Sequence, residues 1–147
     1  MELRRVRLND PEVVPLLAGL EREYTERYGS AEEMLRTHDE EFRPPDGIFV
    51  VIVENSVTVA GGGFRRHSAD ACEVKRMWTH PEHRRRGLAV RVLTALEEGA
   101  REAGYSRLVL ETGPRQPEAA ALYERRGYRR IPTYGLYPQA LAFAVDL

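Results

Sequence analysis

The chain has 147 residues, the size of one domain, and its 42% hydrophobic and 31% charged residues are typical of a globular protein rather than a disordered one. Its 22 basic and 23 acidic residues leave a net charge of −1, which disfavours nucleic acid as a partner because domains that bind it are usually basic. A single cysteine excludes an internal disulfide and a cysteine-rich zinc site. Because the sequence shows no signal-peptide core and no long apolar run, we expect a cytoplasmic protein with no membrane partner.

The amino-terminal part of the chain predicts one strand followed by two helices. Residues 3–8 alternate apolar and basic side chains, which indicates a strand. Asp10 can cap a helix, and Pro11 suits its first position. Gly29 ends this helix, and a second helix is predicted through residues 33–35. Side chains at helical spacing form the row expected to face the core: Val13, Val14, Leu17, Leu20, Tyr24 and Tyr28.

The middle of the chain predicts three consecutive strands, at residues 48–53, 57–66 and 71–79. Three glycines at 61–63 interrupt the second strand, and we expect this strand to carry a β-bulge there. The clearest helix of the chain follows, and Gly104 marks its end. This helix is predicted because its apolar residues form a single stripe: Ala89, Val92, Leu93, Leu96, Ala100 and Ala103.

The carboxy-terminal part predicts short strands around one further helix. Strands are expected at residues 108–110, 128–131 and 141–145, and the helix at residues 117–126. The order of strands and helices predicts one mixed α/β domain over residues 1–147, with a central sheet flanked by helices.

An anion-binding turn is predicted where the third of the consecutive strands meets the clearest helix. A helix amino terminus exposes unpaired N–H groups and a partial positive charge, and Gly87 and Ala89 are small enough for a diphosphate to approach the backbone. Arg84, Arg85 and Arg86 would add charge-assisted hydrogen bonds. From the spacing alone, a solvated basic turn explains the segment equally well.

This turn resembles the Arg/Gln-x-x-Gly-x-Gly/Ala motif of the GCN5-related N-acetyltransferase family. The resemblance extends over residues 73–128 and includes the stretches 77–81 and 121–128. It implies the acyl-CoA N-acyltransferase fold with a mostly antiparallel sheet, and it implies acetyl-CoA as co-substrate without a metal. Many relatives are homodimers, so a homodimer is an open alternative to a monomer.

The resemblance also implies which residues bind acetyl-CoA. The backbone amides of Arg85, Arg86, Gly87, Leu88 and Ala89 would hold the pyrophosphate, with the Arg84 and Arg86 side chains nearby. The backbone of Met77, Trp78 and Thr79 would pair with the pantetheine arm like an added strand. Gln116 stands seven residues before Tyr123, where the family often has an asparagine that binds the pantetheine.

Two residues are predicted to carry the chemistry. The resemblance implies that Tyr123 donates a proton or a hydrogen bond to the coenzyme sulfur, whereas the alternative is a buried aromatic on an amphipathic helix. Glu73 matches the base of the histone-acetylating branch, and an ion pair with Lys75 or Arg65 explains it equally well. Glu111 is the second candidate base, and ordered water is a third.

The remaining reactive side chains are predicted to be structural. Cys72 is expected to be a buried apolar residue rather than a nucleophile. His80 and His83 are expected to be polar loop residues, because no carboxylate–histidine spacing supports a metal site.

The resulting hypothesis is an N-acetyltransferase that moves the acetyl group of acetyl-CoA to a primary amine by direct attack in a ternary complex. The acceptor is a small molecule, an amino acid or a peptide, contacted by the first two helices and by loops near residues 44–45 and 134–137. Two alternatives of other classes remain open. One is a non-catalytic acyl-CoA-binding or sensor module. The other is a nucleic-acid-binding module, which the net charge of −1 disfavours.

Overall fold

A computed structural model describes residues 1–32 and 38–147 of the chain, so the second helix predicted through residues 33–35 lies outside the described residues. The α-helices are α1 (Val14–Tyr28), α2 (Leu88–Glu102) and α3 (Pro117–Arg125). The strands are β1 (Glu2–Val6), β2 (Ile48–Glu54), β3 (Val57–Arg66), β4 (Ala71–Thr79), β5 (Arg107–Thr112), β6 (Arg129–Ile131) and β7 (Leu141–Asp146). Short 3-10 helices lie at Pro11–Val13, Asp39–Phe42 and Pro81–His83. None of the helices in the described part of the chain is long and apolar enough to cross a bilayer.

The seven strands form one sheet in the order β1-β2-β3-β4-β5-β7-β6. Every neighbouring pair is antiparallel except β4 and β5, which confirms the predicted mixed and mostly antiparallel sheet. The parallel contact joins only Ala71–Val74 of β4 to Arg107–Leu110 of β5. The two strands therefore lack ladder pairing over their carboxy-terminal residues, and the sheet opens at its centre.

Helix α2 packs on one face of the sheet with most of the apolar stripe that its sequence predicts, but the last predicted member, Ala103, is exposed just beyond the helix. Its fully buried side chains include Leu88, Val92, Leu93, Leu96 and Ala100. They pack against inward-facing residues of the central strands and against Tyr123 of α3 in one core cluster. Because removal of apolar surface from water is favourable, the burial of this stripe holds the helix on the sheet.

Helix α1 covers the opposite face, and two predicted core positions are wrong there, since Tyr28 at its last turn is 38% exposed and Val14 at its start is exposed as well. Val14 is 61% exposed, whereas Leu16 is fully buried beside Val13 and Leu20. Successive residues of a helix are separated by about 100°, so the row defined by Val13, Leu16 and Leu20 turns Val14 towards solvent. The prediction that Asp10 caps the entry is confirmed, because its side chain accepts a hydrogen bond from the Glu12 N–H at 2.8 Å.

The bulge predicted at glycines 61–63 of β3 lies in β4 instead, and the register shift of β3 against β2 lies near Val59. Gly61 pairs with Trp78 and Gly63 pairs with Lys75, so β4 contributes one residue more than β3 across this interval. Arg76 lies in this interval with a left-handed φ of 65°. A Cβ atom at Gly62 would lie only 2.8 Å from the Met77 sulfur, so the glycine makes room for the partner strand's bulge rather than forming one.

Candidate active site

A cavity of about 710 Å³ lies where β4 and β5 separate. Its walls come from α1, the bulged end of β4, the end of β5, the segment 113–116, α3 and residues 137–140. The side chains that matter for chemistry are Tyr24, Glu111, Gln116 and Tyr123. A cavity at the break in a sheet is a common place for a ligand, because backbone groups of the unpaired strand remain available there.

The turn before α2 has the backbone shape of an anion cradle. Arg85 and Gly87 both have left-handed φ values, 65° and 76°, on either side of Arg86. Gly87 occupies the cap position of α2, and no side chain caps the helix. The first N–H groups of α2 are therefore available to a ligand, and the helix dipole favours an anion at this place.

The side chains of Arg84 and Arg86 are engaged with carboxylates around this turn. Arg84 forms an ion pair with Glu23 of α1, and its Nε donates to the Thr79 carbonyl oxygen at 3.2 Å. Arg86 holds both oxygens of Glu54, at 2.8 and 3.0 Å, and thereby lowers the pKa of that carboxyl group. A phosphate at the turn would share these two arginines with carboxylates.

The two loop histidines lie beside this turn, as predicted. The His80 Nδ1 accepts a hydrogen bond from the Glu82 N–H at 3.1 Å, and the ring of His83 is 5.2 Å from that of His80. Within residues 1–32 and 38–147, no group of three or more His, Cys, Asp or Glu side chains is placed to hold a metal ion.

Tyr123 lies on α3 and lines the cavity, although only 5% of it is exposed. Its ring is 5.7 Å from that of Tyr128 and 5.6 Å from that of Phe143. Burial, with a smaller contribution from Tyr24, raises the pKa of the Tyr123 hydroxyl above its usual value. The hydroxyl is therefore protonated at neutral pH and can act as a proton or hydrogen-bond donor to a ligand in the cavity.

Gln116 is fixed at the rim of the cavity through its carbonyl oxygen. That oxygen accepts hydrogen bonds from the Tyr28 hydroxyl at 3.2 Å, the Gly113 N–H at 3.1 Å and the Thr112 hydroxyl at 3.4 Å. The amide nitrogen is left as the group that can donate to a ligand. The contact with Tyr28 also connects the end of α1 to the segment before α3.

The two candidate bases occupy different surroundings. Glu73 is 6% exposed and is not among the described residues that line the cavity. Its Oε1 accepts from the Arg65 Nε at 3.1 Å, and its Oε2 accepts from the Tyr134 hydroxyl at 2.9 Å. Glu111 lines the cavity, and its Oε2 accepts from the backbone N–H groups of Tyr134 and Gly135 at 3.4 and 3.3 Å. Of the two interpretations of Glu73, the ion pair with Arg65 is the one that the structure contains.

The prediction that Cys72 is a buried apolar residue is confirmed, and the side chain of Trp78 is buried as well. Cys72 is fully buried in the core cluster of α2, and burial raises the pKa of its thiol to about 12, so it is not a reactive thiolate. The Trp78 side chain is buried in the core beneath α1, while its backbone belongs to the part of β4 that β5 does not pair. Trp78 can therefore serve a ligand only through its backbone.

The sequence placed Tyr134 only in a loop expected to contact the acceptor, and it did not identify Arg76 as part of the site. Tyr134 lies in a connection without regular structure, and Arg76 lines the cavity because of the β4 bulge. Neither residue belongs to a local motif, so only the three-dimensional structure shows that Arg76 lines the cavity and that Tyr134 contacts Glu73 and Glu111.

Comparison with known proteins identifies relatives of this chain. A family model described as the Acetyltransferase (GNAT) family matches residues 14–128. The uncharacterized N-acetyltransferase YjgM of Escherichia coli K12 is 31% identical over 137 residues, which are 88% of this chain and 82% of the relative. A Klebsiella pneumoniae protein assigned as an acyl-CoA N-acyltransferase superposes with a TM-score of 0.82 and 27% identity, over 99% of this chain and 97% of the other. A GNAT family acetyltransferase from Elizabethkingia anophelis, solved with acetyl-CoA bound, has a TM-score of 0.72 and 15% identity, over 99% and 97% of the two chains.

Proposed function

Because this chain belongs to the acetyltransferase (GNAT) family, we propose that it transfers the acetyl group of acetyl-CoA to a primary amine by direct attack in a ternary complex. The family and the acyltransferase class are those that the sequence predicted. The observation that carries the finer proposal is the cavity between β4 and β5, because both Tyr123 and Glu111 line it.

The coenzyme would be bound mainly by backbone groups. The amides of residues 85–89 are suited to the diphosphate, since no side chain caps them. The backbone of Met77, Trp78 and Thr79 is suited to the pantetheine arm, because β5 pairs with β4 only as far as Val74. The amide nitrogen of Gln116 can donate to the same arm from the opposite side of the cavity.

Tyr123 and Glu111 divide the proton transfers between them. As the amine nitrogen bonds to the acetyl carbon, the carbon–sulfur bond breaks and the leaving thiolate takes a proton from Tyr123. The amine loses its own proton to Glu111, a carboxylate of β5 that lines the cavity. We favour Glu111 over Glu73 as the base because Glu73 is held by Arg65 and Tyr134. The role of Glu73 as a base stays a prediction.

The acceptor is proposed to be a small cationic amine or the amino group of an amino acid or peptide. Besides Tyr123, three tyrosines line the cavity with two carboxylates, and such aromatic and acidic groups suit an ammonium group. These residues are Tyr24, Tyr28, Tyr137, Glu32 and Glu111. The cations of the same lining are Lys75, Arg76 and Arg115, so the ammonium group is proposed to lie at the tyrosines and carboxylates.

The proposal is tested by steady-state release of the coenzyme thiol from acetyl-CoA with a panel of amines. We expect release that depends on the amine, and we expect Tyr123→Phe to lower kcat by about 100-fold or more without weakening acetyl-CoA binding. Tyr105→Phe is the matched control, because Tyr105 is equally buried but its hydroxyl donates to the Asp46 carbonyl oxygen away from the cavity.

Two results would contradict the proposal. Tight acetyl-CoA binding without thiol release for any amine would indicate the alternative, a non-catalytic acyl-CoA-binding module. An unchanged kcat in Tyr123→Phe would remove this hydroxyl from the mechanism.

A further inference from the structure

We infer that Glu73 is a positioning residue, which anchors the backbone at Tyr134 and Gly135 so that this backbone holds the Glu111 carboxylate in the cavity. The inference rests on the proposed function, in which Glu111 accepts the proton of the amine. It assigns a role to the connection between β6 and β7, which has no helix or strand over residues 132–140.

The backbone at Tyr134 and Gly135 fits closely around Glu111. Both N–H groups point at the same oxygen, Oε2, at 3.4 and 3.3 Å. A Cβ atom at position 135 would overlap the other oxygen, Oε1, so any side chain larger than that of glycine would displace the carboxylate. The position of Glu111 in the cavity is therefore set by the course of this short backbone segment.

The same segment is tied to the sheet through the Tyr134 side chain. Its hydroxyl donates to the Glu73 Oε2 at 2.9 Å, and its ring lies 4.7 Å from the ring of His67. Burial, followed by the nearby Glu73 carboxylate, raises the pKa of the Tyr134 hydroxyl, so this group stays a donor at neutral pH.

Glu73 is in turn held rigidly by the neighbouring strand. Its Oε1 accepts from Arg65 at 3.1 Å, and Arg65 also binds Glu41 at 2.8 Å. Hydrogen bonds thus connect β3 to Glu73, Glu73 to Tyr134, and the Tyr134 backbone to Glu111. Glu73 acts on the reaction through the placement of another carboxylate, without lining the cavity itself.

The decisive experiment compares Glu73→Gln with Glu73→Ala, using the full chain and steady-state acetylation. A glutamine keeps an oxygen that can accept from Tyr134 but cannot act as a base. We expect Glu73→Gln to keep kcat within about 3-fold of the wild-type value, and Glu73→Ala to lower it by about 10-fold, because small displacements of a reacting group are costly. If Glu73→Gln is as slow as Glu73→Ala, Glu73 itself takes the proton and the inference is overturned.

A double-mutant cycle tests the route through Glu111. Tyr134→Phe is expected to lower kcat by about 10-fold and Gly135→Ala by about 100-fold, with the Kd of acetyl-CoA unchanged. Neither substitution should lower kcat further in a Glu111→Ala background. If both lower it there by the same factor as in the wild type, they act on folding alone and the inference fails. Tyr134→Phe still tests the inference if Gly135→Ala does not fold.

Failure of the proposed function itself has a different signature. If Glu111→Ala alone keeps the wild-type kcat, Glu111 is not the base, whatever the variants of Glu73 and Tyr134 show.

Discussion

Replacing Gly87 with alanine separates the backbone cradle from the arginines as the source of acetyl-CoA affinity. Gly87 has a φ of 76°, and a Cβ atom there would meet no heavy atom within 4 Å. The substitution therefore causes no internal clash, and its cost to folding is the left-handed conformation, roughly 1–2 kcal/mol for a residue with a Cβ atom. The added methyl group would stand at the uncapped start of α2, where the diphosphate is proposed to contact the amides.

We expect Gly87→Ala to raise the Kd of acetyl-CoA by about 10-fold or more, equivalent to about 1.4 kcal/mol. Gly104→Ala is a matched control, since Gly104 has a φ of 93° and equally open surroundings. It lies beyond the opposite end of the same helix, which is about 22 Å long at 1.5 Å per residue. Urea unfolding should show similar losses of stability in the two variants, whereas calorimetric titration with acetyl-CoA should separate them. Wild-type affinity in Gly87→Ala would refute the assignment of the diphosphate to this turn.

Three further outcomes are expected. Glu54→Gln should tighten acetyl-CoA binding several-fold at low salt, because it removes a carboxylate that competes for Arg86. Calorimetric titration measures this affinity, and weaker binding would mean that Glu54 holds Arg86 in its binding position. The Cys72 thiol, whose pKa rises from 9.0 to about 12 on folding, keeps its proton where the unfolded chain loses it. Its contribution to stability is therefore full below pH 9 and declines above it by about 1.4 kcal/mol per pH unit. The free energy of unfolding should consequently fall less steeply between pH 9 and 10.5 in Cys72→Ala than in the wild type. Equal slopes in the two proteins would contradict this. Tyr128→Phe should lower the unfolding free energy by about 1.5–3 kcal/mol, because the Tyr128 hydroxyl donates to the buried carboxylate of Glu97 at 2.7 Å. A change smaller than the error of urea titration would show that another donor replaces this hydroxyl.

The parts of this fold that could be predicted are those specified by local sequence. The strands Val57–Arg66 and Ala71–Thr79 have the predicted bounds, because a turn or a proline marks their ends. The apolar stripe of α2 has a single period, so its buried face could be identified without knowing what it packs against. Tyr123 could be identified for a different reason, since it belongs to a motif that resembles a known family.

The parts that could not be predicted depend on contacts between distant segments. Tyr134 and Glu73 are 61 residues apart, and Arg84 and Glu23 are also 61 residues apart. Nothing in the local sequence of either pair indicates the other member. The ion pair between Glu73 and Arg65 follows from the pairing of β3 with β4 and was one of the alternatives that the sequence offered, whereas the Tyr134 contact depends on where the 132–140 connection runs.

The β4 bulge is the local feature that relates the glycines of β3 to the candidate active site. A bulge bends its strand and increases the twist, and pairing between β4 and β5 stops at Val74, two residues before the bulged Arg76. The strand beyond that point stays paired with β3 but leaves its other edge to a ligand, and the space that opens contains Tyr123. Gly62 permits this geometry, because a Cβ atom there would meet Met77. Of the three glycines predicted to bend their own strand, Gly62 thus faces the bulge of β4, whereas Cβ atoms at Gly61 and Gly63 would meet backbone oxygens of β2. The predicted coenzyme-binding backbone and the cavity both adjoin this bulge.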